Sequence, residues 1–174
     1  MTAKIHEPIR HFYTHKFLFY YVLIHVPPKI QNKKVFFVTN QLKTSSAEMV
    51  KQAKNRITEI TAAQALDLYQ DEKVVIVDIR DIRERQKLGF IPGSYHAPRG
   101  MLEFWIDPQS PYFKDIFGED KRFILHCASG WRSALSAATL TDMGFIVEHI
   151  SDGFSGWLEA GGQVEMPATR PPKA

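Results

Sequence analysis

At 174 residues, with a formal net charge of +3 and 44% hydrophobic side chains, the chain has one-domain length and enough apolar material for a core without covalent staples. Its single cysteine excludes an internal disulfide, and no Cys/His spacing of the structural-zinc kind occurs, so neither a metal nor any other cofactor is called for. The charge is uneven: residues 1–57 carry ten Lys/Arg and two Asp/Glu (+8), whereas residues 58–174 carry twelve and seventeen (−5). A basic arm of this kind serves either to bind nucleic acid or an anionic surface, or as a solvated extension; the second is expected here, with no nucleic-acid partner.

Within that arm, residues 17–26 (FLFYYVLIHV) are mostly apolar but too few to span a bilayer. Lys4, Arg10 and Lys16 precede them as in a secretory signal, yet Pro27-Pro28 ends the run and no small-x-small cleavage site follows. Residues 1–48 are therefore expected to be a disordered extension or to precede a true start at Met49. Next in the chain, Thr61 and Gln64 form a capping box that opens a short helix to about Gln70. Residues 73–78 are a β-branched apolar run, as a central parallel strand covered on both faces requires. Asp81 caps a helix to about Lys87 with Glu84 in its first turn, and a second short strand lies within 93–98. Met101 to Trp105 reads as a brief helix that packs in the core or docks a partner protein, and Pro108 to Gly118 as an irregular connection. Arg122 to His126 reads as a buried strand, Ser133 to Met143 as a helix with Gly144 at its C-cap, Phe145 to Ile150 as a strand, and Phe154 to Ala160 as a last helix with Trp157 in the core. The tail from Met166 to Ala174 holds three prolines and is expected to be disordered. Strands alternating with helices imply an open parallel sheet with helices on both faces, whose ligands bind beyond the carboxyl ends of the strands.

Cys127 falls at such an end, in the run His126-Cys127-Ala128-Ser129-Gly130-Trp131-Arg132-Ser133. A strand, a tight glycine loop and a helix bring backbone N–H groups around one point, which makes an anion site. A cysteine sulfur at that point, with Arg132 beside it, is favoured as the thiolate. A lone cysteine is more often a small buried apolar residue. A structural cysteine needs neither Gly130 nor Arg132, however, and the loop therefore makes Cys127 a candidate nucleophile. His126 ends the strand with its side chain on the opposite face and reads as a packed histidine, not a base. Phosphatases of the cysteine type use a Cys-x5-Arg loop around a tetrahedral phosphate; here only four residues intervene, a smaller ring suited to a single anionic atom such as the outer sulfur of a persulfide.

These residues resemble the rhodanese-like sulfurtransferases, and in particular the single-domain forms. Val74-Val75-Ile76-Val77-Asp78-Ile79-Arg80 is similar to the family's first core strand with its Asp-x-Arg ending, the segment from Leu88 to Pro98 to its "GHIPGA" signature, and Gly153 to Gly162 to its closing segment. The likeness covers about residues 57–165, one unit and not a tandem pair. Phe90 departs from it, standing where the family usually has histidine. The resemblance implies a rhodanese-like fold and a double displacement. Cys127 takes sulfur from a donor such as thiosulfate or a persulfide, then yields it to a thiol, to cyanide or to an acceptor protein. Amides from Ala128 to Ser133 would hold the persulfide, and Gly130 permits the curvature. Ser129 either donates to substrate or caps the loop, Trp131 shapes the rim or packs, and Arg132 attracts the donor or pairs with a carboxylate such as Asp78. Asp78 and Arg80 are expected near the loop as a salt bridge that fixes it. An exposed reactive thiol favours a reducing compartment, hence a cytoplasmic protein. A non-enzymatic binding module and a phosphatase or arsenate reductase are the competing readings.

Overall fold

The computed structural model describes residues 41–168. The aromatic run at 17–26, most of the basic arm and the end of the proline tail lie outside them. The first described element is a helix to which the sequence had assigned no structure, α1 (Ser46–Lys54), capped by the Ser45 side chain on the Glu48 amide at 3.1 Å. There follow β1 (Thr58–Ile60), α2 (Ala62–Leu66), β2 (Val74–Asp78), α3 (Ile82–Leu88) and β3 (Tyr95–His96). A 3₁₀ turn at Arg99–Met101 leads into α4 (Leu102–Ile106), and a second at Asp115–Gly118 leads into β4 (Arg122–His126). The chain then forms α5 (Trp131–Asp142), β5 (Glu148–Ile150) and α6 (Gly153–Glu159).

The five strands make one parallel sheet in the order β1-β5-β4-β2-β3, so β4 is central and both its neighbours run alongside it. The apolar runs explain that placement, because each central strand must satisfy two covered faces at once. Alternate residues of β2 and β4 divide between the faces with the period of two that a pleated strand imposes. Val75, Val77, Phe123, Leu125 and Cys127 join one core with Leu102 and Ile106 of α4 and Ala137 and Leu140 of α5. Ile76 and Ile124 join the other with Ala65 of α2 and Phe154 and Trp157 of α6. Trp157 is fully buried and its indole nitrogen donates to the Gln163 carbonyl at 2.8 Å, which satisfies the one polar atom the ring brings inside. Helix α1 covers α5 through Val50 and Ala53 against Ala134 and Ala138.

The expected capping box at Thr61/Gln64 is present, and the cap expected at Asp81 is itself a full box, with the Glu84 side chain accepting from the Asp81 amide. Several bounds differ from those read in the sequence, each for a local reason. Helix α2 stops at Leu66, and turn bonds from Leu68 and Tyr69 to the Ala65 carbonyl carry the chain on. Strand β5 begins at Glu148 and not Phe145, because the Phe145 amide is spent on the Leu140 carbonyl and the Gly144 amide on Thr141, a Schellman closure of α5. Helix α5 itself starts at Trp131, two residues early, since Gly130 already occupies its N-cap. Glu165 pairs with Phe90 in a single antiparallel bridge. Among the described residues no helix is long and apolar enough to cross a membrane, and no group of three His, Cys, Asp or Glu is placed to hold a metal.

Candidate active site

Strand β4 delivers the chain to Cys127, and the loop closes back onto α5 through Gly130. Gly130 has φ +84°, a conformation that L side chains resist, and an added Cβ would collide with the Ser151 carbonyl. The other wall of the loop is the start of α6. There the Phe154 amide donates to the Cys127 carbonyl at 2.8 Å and the Ser155 amide to the Ala128 carbonyl at 3.0 Å. Gly153 makes that approach possible, since a Cβ on it would lie 2.7 Å from the Cys127 oxygen. The Gly130 carbonyl in turn accepts from Ala134 at 2.9 Å. A trans peptide sets its N–H opposite its C=O, so these three captured carbonyls turn the amides of Ala128, Ser129 and Trp131 the other way. Among the described residues, the amides of 128–133 donate to no protein acceptor. The result is a ring of free donors at the N-terminus of a twelve-residue helix, an anion cradle.

Cys127 is buried at the floor of that cradle, with Ser133 Oγ 3.6 Å from its sulfur. Trp131, about half exposed, stands at the rim, and Ser129 is also in the loop. Arg132 does not pair with Asp78. Its guanidinium makes a two-pronged contact with Glu84 of α3, at 2.7 and 2.8 Å, tying the first turn of α5 to the first turn of α3. The Glu84 contact raises Arg132 above its ordinary pKa, with the Cys127 sulfur adding to the same direction. Glu84 lies 48 positions away, and its place as an acid in the first turn of α3 accounted for it locally, so nothing in the sequence singled it out.

Asp78 and Arg80 lie beneath the loop, fully buried, and bond each other at 2.7–3.2 Å. Arg85 adds a further contact to Asp78 at 2.9 Å, and Arg80 also donates to the Gly89 carbonyl at 2.8 Å. Burial pushes the Asp78 carboxyl up, but the Arg80 hydrogen bonds and the nearby charges outweigh it and hold the group at about 2. The Arg80 and Arg85 guanidiniums sit over the Phe154 and Phe90 rings, at 3.9 and 4.2 Å from the ring centroids. Thus Phe90, at the family's usual histidine position, is a stacking platform. His126 is on the face away from Cys127: its ring stacks on Phe154, Nε2 faces Asp78 at 3.6 Å, and burial lowers it to about 4. At the opposite, amino-terminal end of the strands a cleft of about 550 Å³ is lined by Thr58, Lys73, Arg122 and Glu148 among others, with no cysteine or histidine.

A parallel five-stranded sheet with a cysteine in an amide cradle at the end of its central strand places the chain among open α/β proteins with a cysteine loop at a strand's carboxyl end. The rhodanese-like domain model matches residues 61–160, and the chain belongs to the rhodanese-like family. Thiosulfate sulfurtransferase GlpE of Glaesserella parasuis serovar 5 is 31% identical over 110 residues, which cover 63% of this chain and 94% of that protein. A solved structure from Rhodopseudomonas palustris CGA009, a protein of unknown function described as a possible tyrosine phosphatase, is 50% identical with a TM-score of 0.70, covering 72% of this chain and 98% of that one. Thiosulfate sulfurtransferase from Pseudomonas aeruginosa aligns with a TM-score of 0.52 at 25% identity, over 72% of this chain and 23% of that one.

Proposed function

We propose that the chain is a sulfurtransferase that carries sulfane sulfur as a persulfide on Cys127. The observation that supports this most is the ring of unpaired amides from Ala128 to Ser133 above a buried sulfur, spaced as Cys-x4-Arg. In the first step the Cys127 thiolate attacks the outer sulfur of thiosulfate. A new S–S bond forms, the S–S bond of thiosulfate breaks, and its electron pair leaves with sulfite. In the second step a thiol or cyanide attacks the terminal sulfur and the thiolate is restored. The terminal sulfur is anionic, and the amide ring supplies donors fixed before the reaction begins. Arg132, held by Glu84, contributes a steady positive charge at the cradle's edge and does not swing onto the substrate. The relatives named thiosulfate sulfurtransferase support the donor class.

The phosphatase reading draws on the description of the R. palustris structure. Against it stands the loop, one residue shorter than a phosphate ring needs. Thiocyanate formation from thiosulfate and cyanide, set beside hydrolysis of p-nitrophenyl phosphate, separates the two. The proposal expects the first activity, abolished in Cys127→Ser, and none of the second. Phosphate release without thiocyanate would reverse it, and silence in both assays would favour a binding module.

A further inference from the structure

Behind the sulfur, polar groups run in a line from the cradle to the surface. Ser133 is fully buried, with Oγ 3.6 Å from Cys127 Sγ, 3.0 Å from the Gly130 carbonyl and 3.1 Å from His149 Nδ1. His149 is fully buried on β5, and its Nε2 is 2.8 Å from Glu59 Oε1 on β1. The same carboxylate oxygen meets Lys54 Nζ of α1 at 2.7 Å, and both side chains there are about one-third exposed. Four elements, α5, β5, β1 and α1, thus converge to join the buried sulfur to solvent, and the sulfur cycle written above uses neither His149 nor Glu59.

The direction of the hydrogens follows from the groups themselves. A carboxylate only accepts, so His149 Nε2 carries the hydrogen and Nδ1 is left as an acceptor. Burial lowers His149 against the opposing pull of Glu59, which leaves the ring neutral. Glu59 stays ionised because the Lys54 and His149 hydrogen bonds outweigh its own desolvation. The single hydroxyl hydrogen of Ser133 then has three acceptors in reach, namely Nδ1, the Gly130 carbonyl and Sγ. The charged groups at His149 are Glu59 from β1 and Lys54 from α1. Helix α5 presents Ser133 and, through it, Cys127, while Glu148 on β5 is turned to Arg122.

We infer that Ser133, His149 and Glu59 form an inward proton relay that takes the thiol proton of Cys127 as its thiolate forms. The S–H proton passes to Ser133 Oγ, the Ser133 hydroxyl proton passes to His149 Nδ1, and the Nε2–H stays on His149, donated to Glu59. One S–H bond breaks and one N–H bond forms, with no change of oxidation state. The product is a thiolate and an imidazolium separated by one hydroxyl, whose hydrogen now faces the sulfur. His149 and Glu59 are positioning residues, acting on the sulfur only through Ser133. The inference rests on reading Cys127 as the nucleophile.

Because Cys127 is the only thiol in the chain, its alkylation by iodoacetamide reads the relay without any sulfur donor. Rates across about pH 5 to 9 are compared for the full chain and for Ser133→Ala, His149→Gln, Glu59→Gln and the Ser133→Ala/His149→Gln pair, with thiosulfate loading measured in parallel. On the acid side the serine and histidine variants are expected to react about tenfold more slowly, a one-unit displacement of the profile to higher pH. All rates should converge at the alkaline end, and the double variant should fall no further than either single one. Glu59→Gln, a change at the partly exposed end of the line, is expected to move the profile the same way by less, and it carries the test if His149→Gln does not fold. Profiles for His149→Gln and Glu59→Gln that overlay the unmodified protein would overturn the relay. Displaced profiles in a protein that loads no sulfur would leave the relay standing and remove the sulfurtransferase reading instead.

Discussion

Gly130 shows how one residue can decide the geometry of the whole cradle. It sits at φ +84° with the Ser151 carbonyl where a Cβ would be, and its own carbonyl anchors the first turn of α5. Gly130→Ala is therefore expected to cost at least about 2 kcal/mol in urea unfolding, from left-handed strain and the clash together. A loss near zero would mean that the loop relaxes freely and does not hold its amides in place. At this scale the sequence was informative wherever the signal was local. Cys127, Gly130 and the rest of the loop were legible because the strand, glycine and helix that build the cradle are consecutive. The partner of Arg132 was not, because Glu84 comes from another helix and already had a local role as an acid in that helix's first turn. His149 gave one faint signal, a polar residue between Glu148 and Ile150 in a strand whose other side chains are buried or paired.

Among the elements, the Thr61/Gln64 capping box, the Asp81 cap and the apolar runs were read correctly because each rests on contacts within four residues, and the register of the runs in the sheet follows from period-two alternation. Helix α1 was invisible to that reasoning. Its sequence is mostly polar, and only Val50 and Ala53 are buried, against α5, so its stability comes from a tertiary contact and not from its own pattern. Met49 lies inside this helix, and initiation there would remove the Ser45 cap and the first turn. A chain beginning at Met49 is expected to be less stable than one beginning at Leu42 by about 1 kcal/mol, the usual worth of an N-cap. In thermal unfolding this should appear as a fall of a few degrees, about 4 °C. Equal midpoints would show that the first turn of α1 contributes nothing to the fold.

For the molecule as a whole, the buried Asp78–Arg80–Arg85 cluster and His126 at the end of β4 tie stability to pH. His126 is held at about 4 in the folded protein against an ordinary 6.5, so as pH falls between those values the unfolded chain binds a proton that the native one refuses. Stability drops through that window. Asp78, held at about 2 against 3.8, adds stability that is present above the unfolded value and lost as pH falls toward 2. Urea titrations should show a first decline between about pH 6.5 and 4, made shallower in His126→Phe, and a second below about pH 4 that persists in that variant. An unchanged slope in His126→Phe would assign the first decline elsewhere. The parallel sheet, its helices on both faces and the place of Cys127 at a strand's carboxyl end were all legible, since alternation of strands and helices restricts the topology.

The central claim is a covalent one, and the mass of the intact protein tests it most directly. The chain is incubated with thiosulfate, weighed, treated with cyanide and weighed again, with Cys127→Ser alongside. The account predicts a gain of a single sulfur atom, reversed by cyanide and absent from the variant. An unchanged mass while Cys127 remains a titratable free thiol would contradict sulfur transfer from thiosulfate.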